Sequence, residues 1–164
     1  MTRAALGLGS NQGDRLATLR TAVQSLARHS DVSVVGVSAL YETDPVGGPE
    51  QDDYLNAVVV VDTPLSPRDL LRLSHTLEDD AKRVRDVKWG PRTLDIDVLA
   101  MDDITLDDDV ITLPHPRAHE RSFVLVPWAE VEPDAVLGES TVTQWLAARS
   151  GVGVRLFARE WTQS

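Results

Sequence analysis

The chain contains no cysteine. Disulfides and thiolate metal centres are therefore excluded, and a reducing compartment is the expected setting. No apolar run approaches the roughly 20 residues that a membrane helix needs. The opening Met1-Thr2-Arg3-Ala4-Ala5 lacks the apolar core and cleavage pattern of a signal peptide. Aromatic residues make up only 5% of the sequence. Positive charge is scarce, with 16 Lys and Arg against 26 Asp and Glu, for a net charge of −10. Such a surface repels nucleic acid and anionic membranes as a whole. A P-loop is missing too: Gly7-Leu8-Gly9-Ser10-Asn11 has too few glycines and no Lys-Ser/Thr ending. An ATP site would have to be built from arginines, metal and strand edges instead.

What is present suits a folded chain of one domain, 1–164, with 42% hydrophobic residues to form a core. Ala4–Leu8 reads as a strand running into the Gly9-Ser10-Asn11 turn. Leu16, Leu19, Val23 and Leu26 recur at helical spacing and predict a helix over 14–29. Val32–Tyr41 reads as one strand, 43–53 as a Pro- and Gly-rich loop, and Tyr54–Asp62 as a buried strand. Ser66-Pro67-Arg68-Asp69 is a helix start, and Leu70, Leu73, Leu77, Ala81 and Val84 mark that helix's buried stripe. Asp95–Met101 follows as a strand, then an acidic turn and a short strand near Ile111. Arg121–Val131 reads as a helix complicated by Pro127, Val142–Arg149 as a helix, and Val154–Phe157 as a last strand. The β-α-β-β-α-β order predicts an α+β fold of ferredoxin-like type, a mainly antiparallel sheet flanked by helices. The tail from Gly138 has no functional reading, and core packing is the expectation for its two tryptophans, Trp145 and Trp161.

Charge is unevenly spread. Between Lys82 and Arg92 stand five basic residues (Lys82, Arg83, Arg85, Lys88, Arg92) and one acid, Asp86. Such an island suits a small anionic ligand, and a solvated loop would carry the same charges. It adjoins Arg92-Thr93-Leu94-Asp95-Ile96-Asp97-Val98. On a strand Leu94, Ile96 and Val98 share the core face and Asp95 and Asp97 the other, about 7 Å apart. Magnesium is usually held by one or two carboxylates plus substrate phosphates. Cations for phosphate beside carboxylates for metal are what phosphoryl transfer needs. A half-buried strand with a solvated face is the plain alternative.

Other features carry less. His115 and His119 stand four apart, but Pro114 and Pro116 and the lack of a third ligand argue against zinc. Arg117 and Arg121 fit a phosphate-facing loop better. The aspartates at 102, 103 and 107–109 lack the calcium-loop glycine and read as a solvated turn. Leu71, His75 and Glu78 share a helical face that either borders a cleft or is plain surface. Tyr54 and Asn56 share one side of a strand, where ring and amide could hold a flat heterocycle or simply pack. Trp89 and Phe123 are further aromatics beside the charged motifs.

Together these residues resemble the 6-hydroxymethyl-7,8-dihydropterin pyrophosphokinase family. The resemblance runs from Leu6-Gly7-Leu8-Gly9-Ser10-Asn11 to at least Glu130. Its most specific piece is Trp89-Gly90-Pro91-Arg92-Thr93-Leu94-Asp95-Ile96-Asp97. Tyr41-Glu42-Thr43, Asp53-Tyr54-Leu55-Asn56-Ala57, Leu113-Pro114-His115 and Arg121-Ser122-Phe123-Val124-Leu125-Val126-Pro127 support it. The resemblance implies pyrophosphate transfer from ATP to the pterin hydroxymethyl group, with release of AMP, in folate biosynthesis. It implies two magnesium ions on Asp95 and Asp97, and catalytic roles for Arg83, Arg92 and Asp97. His75, Glu78, Arg85, Trp89, Thr112, His115 and Arg121 would lie along ATP. Thr43, Asp44, Val46, Tyr54, Asn56, Trp89 and Phe123 would hold the pterin. The chain departs from the pattern at His75, Lys82 and Pro116, and in an 83–89 loop one residue short. The expected partners are ATP and the pterin, with no nucleic acid and no membrane, for a cytoplasmic monomer. The competing readings are a non-catalytic ferredoxin-like binding module and a phosphotransferase that makes ADP.

Overall fold

A computed structural model describes residues 1–44, 53–84, 94–149 and 153–162, the side chains at 83 and 84 excepted. The first strand, β1 (Thr2–Ser10), leads into helix α1 (Arg15–Arg28). Asp14 caps that helix by accepting the Ala17 N–H at 3.0 Å. Strands β2 (Ser33–Val37), β3 (Leu40–Thr43) and β4 (Tyr54–Thr63) follow, then helix α2 (Pro67–Val84). The predicted start of α2 is present, because Ser66 Oγ accepts the Asp69 N–H at 3.1 Å. Strand β5 (Asp95–Met101) comes next, then the small hairpin β6 (Leu106–Asp107) and β7 (Thr112–Leu113). A 3-10 turn at Ala118–Glu120 leads into helix α3 (Ser122–Val131). The chain continues through β8 (Val136–Leu137), β9 (Ser140–Thr141), α4 (Val142–Ala147) and β10 (Val154–Ala158).

The main sheet runs β10-β3-β4-β1-β5, with β2 also paired to β4. Every pairing in it is antiparallel. Strand β4 is the spine. It pairs with β1 from Thr63 to Leu55 on one side, and on the other with β3 through Tyr54–Asn56 and β2 through Val59–Asp62.

The single strand expected over 32–41 is two strands. The break lies at Ser38 and Ala39, where the Ser38 N–H still donates to the Val58 carbonyl at 2.9 Å but side chains take the other places of the ladder. Ser38 Oγ accepts the Val58 N–H at 2.9 Å, and the Ala39 N–H donates to the Glu130 carboxylate at 2.9 Å. Helix α3 also runs unbroken to Val131 with Pro127 buried inside it. The proline withholds one helical donor, but burial of Leu125, Pro127 and Trp128 against the sheet outweighs that loss.

Each sheet face has its own core. On one, α1 and α2 lay Leu19, Leu26, Leu70 and Leu77 over Leu6, Leu8, Val59, Val61, Ile96 and Val98. On the other, α3 and α4 cover Ala5, Val58, Val60 and Leu99 with Val124, Leu125, Trp128 and Val142. The tail is thus part of the fold. Helix α4 carries a full capping box between Thr141 and Gln144, and the buried Trp161 Nε1 donates to the Ser38 carbonyl at 2.9 Å.

Candidate active site

Helix α3 covers only part of its sheet face. Beyond its N-terminus the same face is open among the described residues, and its residues change character. Along β1 the positions on this side read Ala5, Gly7, Gly9. Along β4 they read Val60, Val58, Asn56, Tyr54, and along β5 Leu99, Asp97, Asp95. The register sets Asn56, Gly9 and Asp95 in one row across three strands, and Val58, Gly7 and Asp97 in the next. The two glycines leave the floor bare between the amide and the carboxylates. Gly9 has little room for anything else, since a Cβ there would stand 2.8 Å from Asn56 Oδ1.

The result is a cleft of about 960 Å³. Its floor is Gly7, Gly9, Asn56, Asp95 and Asp97; its walls include Thr43 at the end of β3 and Asp44 after it, Arg117 and Arg121 on either side of the 3-10 turn, Phe123 in the first turn of α3, and Gly153 and Val154 at the start of β10. Asn56 is buried and donates through Nδ2 to Thr43 Oγ1 at 2.6 Å, which fixes the amide's orientation. The Arg121 guanidinium lies 5.7 Å from the Phe123 ring centre. That contact holds a cation and an aromatic face together at the cleft mouth.

Strand alternation puts Asp95 and Asp97 on the floor while Leu94, Ile96 and Val98 are buried beneath. The Ile96 N–H, between them, donates to Glu78 Oε2 on α2 at 2.8 Å. Burial and then the Asp95 charge push the Tyr54 phenol above its ordinary range. His115 is pushed down by burial, against the pull of Asp97 and with the help of Arg121. Its imidazole therefore stands near both. Among the described residues no three acidic, His or Cys side chains converge on one point. The two aspartates nonetheless fit magnesium, which takes one or two carboxylates and completes its shell with water and phosphate oxygens.

Of the residues expected at a site, Thr43, Asp44, Tyr54, Asn56, Asp95, Asp97, Arg121 and Phe123 line this one cleft. His115 adjoins it through Asp97 and Arg121. Glu78 supports the β5 backbone from behind. His75 is exposed on α2 and Thr112 lies in β7, and neither is part of the lining. Val46, Arg85, Trp89, Arg92 and the Arg83 side chain lie outside the described residues. The sequence reading gave no role to the floor glycines or to Gly153 and Val154. A Gly-x-Gly alternation on a strand, which strips side chains from one face, was the available signal. Nothing local marks Gly153 and Val154, because their place depends on β10 pairing with β3.

Comparison with known proteins places the chain among relatives. The family described as 7,8-dihydro-6-hydroxymethylpterin-pyrophosphokinase (HPPK) matches residues 5–133. The 2-amino-4-hydroxy-6-hydroxymethyldihydropteridine pyrophosphokinase of Methylorubrum extorquens is 48% identical over 94% of this chain and 98% of its own. That of Bacillus subtilis is 46% identical over 78% of this chain and 77% of its own. In fold, the chain is similar to wild-type Plasmodium falciparum HPPK-DHPS, with a TM-score of 0.70 at 14% identity, over 90% of this chain and 44% of that longer one. A floor of amide, glycines and paired carboxylates, together with these relatives, leads to one conclusion: the chain belongs to the 7,8-dihydro-6-hydroxymethylpterin-pyrophosphokinase family.

Proposed function

We infer that the open end of the sheet is where this chain carries out the family's reaction: the hydroxymethyl oxygen of 6-hydroxymethyl-7,8-dihydropterin attacks the β-phosphorus of ATP, pyrophosphate is transferred and AMP leaves. The reaction serves folate biosynthesis. One observation carries the placement. Asn56 and the two aspartates occupy a single floor, joined through Gly9 and Gly7 in consecutive cross-strand rows.

The pterin belongs at the Asn56 side. The amide, oriented by Thr43, offers donor and acceptor atoms to the heterocycle's edge, and Phe123 offers a ring face. Tyr54 remains a neutral donor there, since its phenol is held above its ordinary range. The triphosphate belongs at the Asp95 side. Asp95 and Asp97 would hold magnesium, whose charge offsets that of the phosphates when bound. Arg117 and Arg121 bring positive charge to the same cleft. Arg83, Arg92 and Arg85 are assigned to the phosphates, Val46 to the pterin pocket, and Trp89 to both ligands on a loop that closes over the site, on the family resemblance. Burial pushes His115 down, which favours the neutral imidazole beside Asp97; its Nδ1 accepts the Arg117 N–H at 3.2 Å, which leaves Nε2 as the donor. The chain's task is then positioning and charge stabilisation, with little covalent work.

We also read the chain as a single domain of ferredoxin-like type. Its sheet places the last core strand, β5, beside the first, β1, in the split β-α-β manner. It is read as a monomer in the cytoplasm. No helix among the described residues is long and apolar enough to cross a membrane.

The direct test is product analysis. The protein is mixed with ATP, magnesium and the pterin, and the nucleotide is followed by phosphorus NMR with and without chelator. AMP and a pterin diphosphate, lost on chelation, are expected. ADP would overturn the β-phosphorus mechanism. A folded protein with no turnover would return a binding module.

A further inference from the structure

The family match ends at residue 133, yet the cleft is completed by β10, which lies beyond it. Strand β10 is fitted to Asp44. The Gly153 carbonyl accepts the Asp44 N–H at 3.1 Å. Gly153 has φ +83°, and a Cβ there would stand 2.9 Å from Asp44 Oδ2. Two residues on, the Arg155 guanidinium donates to Asp44 Oδ1 at 2.9 Å and to Asp53 Oδ2 at 2.9 Å, and stands 3.8 Å from Glu42 Oε1. Arg15 of α1 adds a second tie, donating to Glu42 Oε2 and to the Asp53 carbonyl, both at 2.9 Å.

Asp44 directly follows β3 and Asp53 directly precedes β4. One guanidinium therefore ties the exit of one strand to the entry of the next. The neighbouring residues, Thr43 and Tyr54, are cross-strand partners on the cleft side. Thr43 in turn orients the Asn56 amide. Without the cation, three carboxylates (Glu42, Asp44 and Asp53) would be left, among the described residues, with Arg15 to offset their mutual repulsion at this corner.

We propose that Arg155 is a positioning residue for the pterin side of the cleft, acting through Asp44 and Asp53 to hold Thr43, Tyr54 and Asn56 in register. The proposal rests on the assignment of that side to the pterin. The planar fork is what lets one side chain serve two carboxylates; a lysine would reach them as a single point charge. Arg155 is 46% exposed, so its ion pairs add little to global stability. The consequence of losing it falls on geometry.

The test compares wild type, Arg155→Ala and Arg155→Lys in steady-state kinetics, with thermal melts alongside. In Arg155→Ala the KM for the pterin rises roughly tenfold, as expected for a small displacement of a binding wall. The KM for ATP stays within twofold, the melting temperature is nearly unchanged, and Arg155→Lys lies between. An unchanged pterin KM in Arg155→Ala would overturn the proposal, as would an equal rise in both KM values with a lowered melting temperature. If Arg155→Ala does not fold, Arg155→Lys decides, and a wild-type pterin KM in that variant overturns it. Absence of AMP formation by the wild type is a different failure; it removes the pterin assignment and the proposal with it.

Discussion

The two ends of one sheet face show how the same strands can serve a core and a site. At the closed end, Ala5, Val58, Val60 and Leu99 lie under α3, and Trp128 is 1% exposed. At the open end, one or two pleats further along the same strands, their places are taken by Gly7, Gly9, Asn56, Asp97 and Asp95. The β1–β4 ladder runs unbroken through both, while the β1–β5 ladder shifts register between Ala5 and Leu6, at the boundary. The two ends differ in side chains, in that shift and in where α3 begins. Buried apolar contacts are concentrated where the face is covered, and polar and charged side chains where it is bare. The closed end also gives the open end a rigid floor, as a site needing exact placement requires.

That division can be broken from either side. The largest effect is expected at the open end: Asp97→Ala lowers turnover by about 10³-fold and leaves the melting temperature near wild type, since Asp97 is exposed. Steady-state assays with circular dichroism melts check both halves. The reverse pattern is expected at the closed end. Trp128→Ala removes a fully buried indole and its hydrogen bond to Glu132, and lowers stability by about 3–5 kcal/mol. In urea titrations its midpoint falls, while the KM values of the protein that remains folded change little.

A smaller effect sharpens the boundary. Gly9→Ala places a methyl against Asn56 Oδ1, so the amide must turn from Thr43. The pterin KM is expected to rise several-fold, with the ATP KM nearly constant. The smallest is a titration on β3, where Tyr41 is the cross-strand partner of Asn56. The Tyr41 phenol is pushed up to about 12 by burial and by its hydrogen bond to Glu130. The folded value is raised above the unfolded one, so the contribution is fully present below about pH 10 and is lost as pH rises through about 12. Ultraviolet difference titration of wild type against Tyr41→Phe reads that step.

Much of the fold was legible because it follows from period. Leu94, Ile96 and Val98 alternate with Asp95 and Asp97, and that alone put both carboxylates on one face. The Ser66 cap and the leucine stripe of α2 were equally plain. What escaped depended on contacts distant in sequence. Nothing around Ser38 announces that its hydroxyl will take the Val58 N–H and split a strand. Nothing around Val154 announces a partner at Thr43, more than a hundred residues away. The site was legible in part for the same reason. Tyr54 and Asn56 could be paired by alternation, whereas the bare glycine floor and the Arg155 corner exist only once β1, β3, β4 and β10 lie side by side.

The central claim is that ligands occupy only the open end of this face. It is tested most directly by backbone amide NMR during titration with the pterin, magnesium and a non-hydrolysable ATP analogue. The account predicts large shifts at Gly9, Asn56, Asp97 and Phe123, and almost none at Val60 and Trp128. Shifts centred on the α3-covered residues, with Gly9 and Asn56 silent, would contradict it.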